Sequence, residues 1–348
     1  MNGHVNGRDK KRVAVVFNPV KGAPEEMRQQ VTEAAERHGW ETPVFLETSV
    51  EDPGFTPAQQ AVEEGHDMVF AAGGDGTVRA VAAALRGTDA ALAIIPVGTG
   101  NLLARNLKLP LDVPAAIETA FSGQDTRIDV CTALLTHPSG ESEELDFVVM
   151  AGIGLDAQMI VNTDDDLKKR VGFLAYGVAI AKSLRGGRRL ALRWRLNDGP
   201  ERRTRVHSLI VGNCGDLVGG VPLLPDAVAN DGHFDVVALR PRGLPGWGLI
   251  VARLATQMGQ KVLNRLRRRD EQITGGSGDI EELQYATGTR LEVTLPAPEM
   301  FEVDGDEVGE VTAFTVTIEP ECLLVREPVP PPTTEPGEPR PGTEIFGG

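Results

Sequence analysis

The stretch AAGGDGTVRAVAAAL at residues 71–85 decides the fold of the N-terminal part of this 348-residue chain. A strand-like run, HDMVFAA (66–72), leads into it, and an alanine-rich amphipathic run, TVRAVAAAL (77–85), follows the loop. Strand, glycine loop and helix, in that order, are typical of a site where backbone N–H groups and a helix N-terminus approach an anion. Asp75, at the centre of the loop, carries a negative charge that would repel an anion, so its presence at such a site needs an explanation.

A second stretch of the same kind follows the next predicted strand. ALAIIPV (91–97) is a strand of the buried type, and it runs into the glycine loop GTGN and the segment LLARNL. Upstream, KRVAVVF (11–17) and ETPVFLE (41–47) are strand-like and alternate with helical segments. This alternation predicts an α/β N-terminal domain with a doubly wound, mostly parallel sheet. Both glycine loops then lie at the carboxyl ends of strands, where such sheets bind ligands.

The pattern changes near residue 126, after which strand-like segments follow one another without alternating helices. They are RIDVCTALLT, ELDFVVMAG, LALRWRL, RVHSLIVGN, HFDVVAL, RLEVTL and FTVTIEP. We therefore predict a second, mainly antiparallel β domain, sandwich-like, with helices at roughly 166–184 and 246–268. The predicted domains are 9–128 and 129–320, with a strand near 321–326 as a candidate to return to the first domain. The Pro-rich acidic tail, 327–348, is predicted to be disordered.

Composition narrows the classes of function. The net charge of −15 argues against nucleic acid as a general partner. No apolar run approaches the roughly 20 residues of a membrane span, and the N-terminal segment does not match a signal peptide. The three cysteines are odd in number and scattered, which fits a reduced cytoplasm. We therefore expect a cytoplasmic protein.

Two basic segments stand out against this acidic background. Residues 182–205 hold nine Lys and Arg residues with only Asp198 and Glu201 as acids, and 261–269 reads KVLNRLRRR. Such segments suit an anionic membrane surface or a polyphosphate, and they equally suit ordinary solvated faces. The sequence leaves this choice open.

The glycine loops do not match the common nucleotide motifs. No Lys-Ser/Thr pair follows GGDG, so it is not a Walker loop, and the spacing is not that of the dinucleotide fingerprint GxGxxG. We expect the glycines to allow positive φ and a close backbone approach. Thr99 and Asn101 add a hydroxyl and an amide, so two neighbouring loops predict a cleft floored by backbone donors.

AAGGDGTV together with PVGTGNLLARNL resembles the diacylglycerol-kinase catalytic family, which includes bacterial diacylglycerol kinases, sphingosine kinases and related lipid kinases. Four further segments resemble the family's motifs in the same order: FNPVKG (17–22), AGIGLDAQ (151–158), PDAVANDGHFDV (225–236) and VDGDEV (303–308). The resemblance covers residues 11–326. It implies an ATP-dependent lipid kinase that uses Mg²⁺ and transfers the γ-phosphoryl group to a lipid hydroxyl, with diacylglycerol as the leading acceptor.

The resemblance also implies alternatives and a location. A kinase of sphingoid bases or ceramide is the first alternative. NAD kinase is the second, although GTGNLLARNL lacks the Asn-Glu motif that NAD kinases carry after their second glycine loop. A lipid- or nucleotide-binding regulator that has lost catalysis is the third. A lipid acceptor implies peripheral association with the inner face of the membrane, and dimers are common among bacterial relatives.

The resemblance assigns two catalytic carboxylates. Asp75 takes the proton from the acceptor hydroxyl and helps to hold Mg²⁺, which would explain the charge in the loop; the alternative is that its side chain caps the following helix. Asp306 is the second acid, at a position where Glu is usual. The nucleotide-binding residues implied are Asn18, Lys21, Gly73, Gly74, Gly76, Thr77, Thr99, Gly100 and Asn101.

Three further residues complete the predicted site. The resemblance implies that Asp156 recognises the lipid head group; the alternative is that it caps a helix near Ala157, and the sequence does not separate the two roles. The resemblance assigns Asp231 to a structural Mg²⁺, and Asp304 is a further candidate metal ligand. Leu102 departs from the family, because many bacterial members carry Asp after the Asn of this loop.

Overall fold

The structure is a computed structural model that describes residues 10–20, 24–154, 189–217, 220–266 and 283–329. The N-terminal part contains four strands and five helices among these residues. They are β1 (Val13–Phe17), α1 (Pro24–Arg37), β2 (Val44–Glu47), α2 (Phe55–Glu63), β3 (Met68–Gly73), α3 (Asp75–Leu85), β4 (Ala91–Pro96), α4 (Leu102–Asn106) and α5 (Val113–Ser122).

The remaining described chain is largely β-strand. Its elements are β5 (Gln124–Thr136), β6 (Ser142–Phe147), β7 (Met150–Ile153), β8 (Leu190–Leu196), β9 (Arg202–Val206), β10 (Ser208–Gly212), β11 (Phe234–Leu239), α6 (Gly243–Leu266), β12 (Leu283–Gly288), β13 (Arg290–Val303) and β14 (Asp306–Glu327).

Strands β1 to β4 form the predicted parallel sheet. Their order is β4-β3-β1-β2, and every neighbouring pair is parallel. Side chains of a strand alternate between its faces, so Val15 packs towards α1 and α5 while Val16 packs towards α2 and α3. Both faces are therefore covered by helices, which explains why the strands are apolar throughout. The doubly wound α/β domain is confirmed.

The second domain is antiparallel and folds over a core of its own. Strand β13 divides it, because its first part (291–294) pairs with β8 while its last part (301–303) pairs with β7. Apolar side chains from both halves meet in one buried cluster, which includes Phe147, Phe234, Phe301 and Phe314. The predicted β-rich domain, sandwich-like and mainly antiparallel, is confirmed.

Strand β14 joins the two parts of the molecule. It pairs with β13 and with β5 in the second domain, and near its end Val325 pairs in parallel with Leu92 of β4. One sheet therefore continues from the antiparallel domain into the parallel one. The boundary predicted at 128–129 lies inside β5.

Several predicted elements differ from those observed. ELDFVVMAG was expected to form one strand but forms β6 and β7, because the N–H groups of residues 148–150 donate to a distant carboxylate instead of to a neighbouring strand. RVHSLIVGN forms the end of β9 and all of β10, with His207 at the break. Two observed elements were not predicted from the sequence: α5, which begins after its N-cap Asp112, and β12.

Some predictions lie outside the described residues, among them the helix at 166–184 and most of the C-terminal tail. Among the helices that the structure does describe, none is long and apolar enough to cross a membrane.

Candidate active site

A cleft of about 500 Å³ opens where the parallel sheet meets the antiparallel domain. Its walls include residues of both glycine loops, Asn18 after β1, and the turn Asp304–Gly305–Asp306 that joins β13 to β14. Strand β1 pairs with β2 on one side and with β3 on the other, so the chain reverses its direction of winding here. The carboxyl edge at such a reversal is where doubly wound sheets bind their ligands.

The two glycine loops are in direct contact. A Cβ atom placed on Gly98 would come within 2.7 Å of the Cα atom of Gly74, a distance that real Cβ contacts essentially never show. The expectation of positive φ is wrong, because Gly74 has φ −87° and no glycine of the two loops, all of them described, has positive φ. Close approach of one loop to the other is what requires glycine here.

Asp75 ties the first loop to the second. It is the first residue of α3, and its Oδ1 atom accepts a 2.6 Å hydrogen bond from the N–H of Leu102, the first residue of α4. Its carboxylate thus contacts the neighbouring loop. The family departure at Leu102 does not affect this contact, since only the backbone of Leu102 takes part.

The environment of Asp75 makes its carboxylate more basic than an ordinary one. Burial raises the pKa of Asp75, and the nearby Asp306 raises it further, against hydrogen bonds from the backbone N–H groups of Leu102 and Asn101 that lower it. The net direction is upward. A base of higher pKa accepts a proton more readily, provided that it is ionised at the working pH.

Asp306 reaches the first loop from the other domain. Its Oδ2 atom lies 3.0 Å from the position that a Cβ atom on Gly76 would occupy. The same oxygen pairs with Arg79 at 3.1 Å, and Arg79 also donates a 2.6 Å hydrogen bond to the carbonyl oxygen of Val303. The shorter side chain of Asp306, compared with the usual Glu, therefore still approaches the glycine loop.

The structure brings together most of the predicted nucleotide-binding residues. Those that line the cleft are Asn18, Gly74, Gly76, Thr77, Thr99 and Gly100. Asn101 lies behind it, because its side-chain amide exchanges hydrogen bonds of 2.8 and 3.1 Å with the backbone of Gly98. Gly73 packs against the side chain of Thr77. Lys21 and Asp156 lie outside the described residues.

Asp304 is a buried anchor for the turn. Its two carboxylate oxygens accept hydrogen bonds from the N–H groups of Val148, Val149 and Met150 at 2.9 to 3.2 Å. Burial raises the pKa of Asp304 to about 6, although Arg79 and these backbone hydrogen bonds act in the opposite direction. Because the amides occupy both oxygens, the geometry supports a structural role better than the predicted metal ligation.

Two residues of the site were missed by sequence reasoning. Glu302 is buried and lines the cleft. Arg79 connects α3 to the turn after β13. The position of Arg79 four residues after Asp75 could have revealed it, because residues four apart lie on the same face of a helix.

Asp231 lies away from the cleft. Its Oδ1 atom accepts a 2.9 Å hydrogen bond from the N–H of His233, as in an ordinary turn. The neighbouring Asp129 is buried and accepts hydrogen bonds from the N–H groups of Gly232 and Glu321, which fasten this turn to β14. No cluster of three or more His, Cys, Asp or Glu in the described part of the chain could hold a metal ion. A magnesium site at Asp231 thus stays a prediction.

Asp75 and Asp306 are the residues of the cleft that could hold a Mg²⁺ ion brought by a nucleotide. Magnesium in phosphoryl-transfer sites is held by one or two carboxylates together with substrate phosphates and waters. Asp75 and Asp306 are two carboxylates of this kind, from different domains, beside loops whose backbone approaches closely. A metal cage made of protein groups alone is therefore not required.

Known proteins of similar sequence include lipid kinases. Residues 12–133 match the family model of the diacylglycerol kinase catalytic domain. A diacylglycerol kinase of Staphylococcus saprophyticus is 29% identical over 246 residues, covering 70% of this chain and 77% of the relative. One from Staphylococcus aureus (strain MRSA252) is 27% identical over 247 residues, covering 70% of this chain and 75% of the relative.

Solved structures share the fold. A diacylglycerol kinase from Bacillus anthracis str. Sterne superposes with a TM-score of 0.64 at 17% identity, over 92% of this chain and 97% of the other. A second crystal structure, of a putative diacylglycerol kinase from the same strain, also gives 0.64, at 18% identity. The resemblance found in the motifs is confirmed, because residues 12–133 match the family model of the diacylglycerol kinase catalytic domain.

Proposed function

We propose that the protein is an ATP-dependent lipid kinase that transfers the γ-phosphoryl group of ATP to a lipid hydroxyl, with diacylglycerol as the leading acceptor. The observation that carries the proposal is the meeting of Asp75 and Asp306, from two domains, at the mouth of two glycine loops in contact. The names of the relatives support the same chemistry. A lipid acceptor would bring the protein to the cytoplasmic face of the membrane, and the homodimer stays a prediction.

In this mechanism the two glycine loops position the nucleotide. Gly74, Gly76 and Gly100 line the cleft without side chains, so phosphate oxygens can approach the backbone and the N-terminus of α3. Bound Mg²⁺ would neutralise charge on the transferred group, with Asp75 and Asp306 as the carboxylates available to it.

Asp75 acts on the acceptor. Its Oδ1 atom is held by Leu102, so the side chain has a fixed orientation, and its raised pKa suits the removal of a proton from a hydroxyl group. Burial is the main cause of the raised pKa of Asp75, and the charge of Asp306, which shares the cleft, adds to it. Arg79 positions Asp306 by pairing with it and by binding the backbone of the same turn.

The test is a transfer assay with γ-labelled ATP, Mg²⁺ and mixed micelles that hold one acceptor at a time. Diacylglycerol, monoacylglycerol, sphingosine and ceramide form the panel, and NAD serves as the non-lipid acceptor. We expect label in diacylglycerol, and at least a 100-fold loss in Asp75→Asn, the range typical of a missing general base.

Asp89→Asn is the matched control, because Asp89 is a fully exposed acid outside the cleft. It removes the same charge and should retain parent activity. Label in NAD alone would replace the lipid-kinase proposal by NAD kinase. ATP binding without transfer to any acceptor, unchanged in Asp75→Asn, would favour a regulator.

A further inference from the structure

A second concavity, of about 820 Å³, lies along β8, β9 and β13. Its described lining contains no acidic residue and six arginines, which we call the arginine groove: Arg189, Arg193, Arg203, Arg205, Arg240 and Arg242. The whole chain carries a net charge of −15, so this concentration of positive charge is local. It includes part of the basic segment 182–205, whose role the sequence left open.

The strand register brings like charges face to face. Arg193 of β8 lies directly opposite Arg203 of β9, and Arg205 lies opposite Ala191. Side chains directly opposite each other on antiparallel strands have Cβ atoms about 5 Å apart, where two like charges destabilise the pair. An arrangement that costs stability in the free protein points to a ligand that offsets the repulsion.

The described chain supplies no such counter-charge. Arg195, further along β8, pairs with Glu292 of β13 at 3.7 Å. Among the described residues, no acidic side chain pairs with Arg193, Arg203 or Arg205. All three are exposed. Their guanidinium groups are therefore available to an external anion.

The chemistry of the groove favours a phosphate ester. Guanidinium groups bind phosphate through two parallel hydrogen bonds, and several arginines together suit a group with more than one negative charge. Ala191, Leu295 and Pro296 also line the groove and offer apolar surface to the carbon part of a ligand. The groove and the cleft share no lining residue, so they are separate sites.

We propose that the arginine groove binds the phosphate-bearing head groups of anionic lipids and docks the protein on the membrane that contains its acceptor. The choice of a lipid as the source of the phosphate rests on the proposed function. A chain with a net charge of −15 is repelled by an anionic bilayer over most of its surface, so one basic groove also sets its orientation there.

The experiment measures sedimentation of the full-length protein with vesicles of phosphatidylcholine alone and of phosphatidylcholine with phosphatidylglycerol. We expect binding only to the anionic vesicles, weakened by salt. Arg193→Gln combined with Arg203→Gln should weaken it roughly 30-fold, since each basic residue near an anionic surface contributes about 1 kcal/mol. Arg37→Gln with Arg127→Gln, a pair of exposed arginines outside the groove, removes the same charge and should have little effect.

Stability measurements separate binding from folding. The groove variant should melt at or above the parent temperature, because it removes a like-charge pair. Arg205 lies opposite Ala191, so Arg205→Gln removes no like-charge pair. This single variant is a second test and should lose less vesicle binding than the double variant. Equal binding by the groove variant and its control would overturn the proposal. The proposal would also be overturned if the parent protein bound inorganic pyrophosphate but no vesicles, and the groove variant lost that binding. The groove would then take a soluble ligand.

The kinase assay in neutral detergent micelles distinguishes this proposal from the proposed function. The groove variant should retain parent turnover there, since no residue of the groove lines the cleft. If no lipid were phosphorylated while groove-dependent vesicle binding persisted, the proposed function would fail and the docking site would stand.

Discussion

Substitution of Gly98 by Ala tests whether contact between the glycine loops sets the position of Asp75. The new Cβ would lie 2.7 Å from the Cα of Gly74, and ordinary contact begins at 3.4 Å, so the loops must separate by about 0.7 Å. The Cα atom of Gly74 belongs to the backbone, so it cannot rotate away as the end of a side chain can. Because Asp75 follows Gly74 directly, its 2.6 Å hydrogen bond to Leu102 should be lost or strained.

The magnitude follows from that displacement. A misplacement of about 1 Å at a catalytic group costs roughly 100-fold in rate, so we expect kcat to fall about 10- to 100-fold. Overpacking should lower the free energy of unfolding by about 1–3 kcal/mol. The assay is steady-state transfer from ATP to diacylglycerol, run below the melting temperature of the variant, with urea unfolding measured in parallel.

Gly248→Ala supplies the control. Gly248 lies in α6, where an added Cβ meets nothing within 4 Å, so this variant should keep the parent kcat. Gly76→Ala is not a neutral control, because its Cβ would lie 3.0 Å from Oδ2 of Asp306, a carboxylate of the cleft. The reasoning is refuted if Gly98→Ala keeps parent turnover.

Three more predictions concern charges in and around the cleft. Arg79→Gln should lower kcat roughly 10-fold with little change in the KM for ATP, because Asp306 loses the arginine that positions it. Steady-state kinetics check this prediction, and an unchanged kcat would contradict it. In a plot of kcat/KM against pH, the midpoint of the acid limb should lie above the ordinary aspartate pKa of about 3.9, because burial raises the pKa of Asp75. A midpoint at or below that value would contradict the assignment of Asp75 as the general base. Asp304 has a folded-state pKa of about 6, above its unfolded value, so the stability that its protonation contributes is present at low pH and is lost as pH rises from about 4 to about 6. Urea unfolding should show a loss of up to about 3 kcal/mol over that interval, and Asp304→Asn should flatten the profile.

The sequence predicted what depends on neighbours along the chain. The parallel sheet follows from the alternation of apolar strands and helices, and the cleft follows from two glycine loops at neighbouring strand ends. The meeting of Asp75 with the Asp304–Asp306 turn was predicted by family resemblance alone.

The features of the fold and the site that were not predicted depend on contacts between segments distant in the sequence. Asp304 accepts hydrogen bonds from residues some 155 positions earlier, and those contacts split the predicted strand ELDFVVMAG in two. Arg79 binds Val303, 224 residues away. The glycine loops show a further difficulty, because sequence does not distinguish a glycine that needs positive φ from one that needs room for a neighbouring backbone.

Strand β14 has a consequence for how the protein is made. It is the last described strand, yet it lies between β5 and β13 and also borders β4 through Val325. During synthesis, β4 and β5 emerge from the ribosome long before the strand that pairs with them. The antiparallel sheet and the β4 edge of the parallel sheet stay unpaired until residues 306–327 have emerged, so we expect folding of the two domains to finish only then. A nascent or truncated chain lacking β14 would expose unpaired strand edges, which favour aggregation.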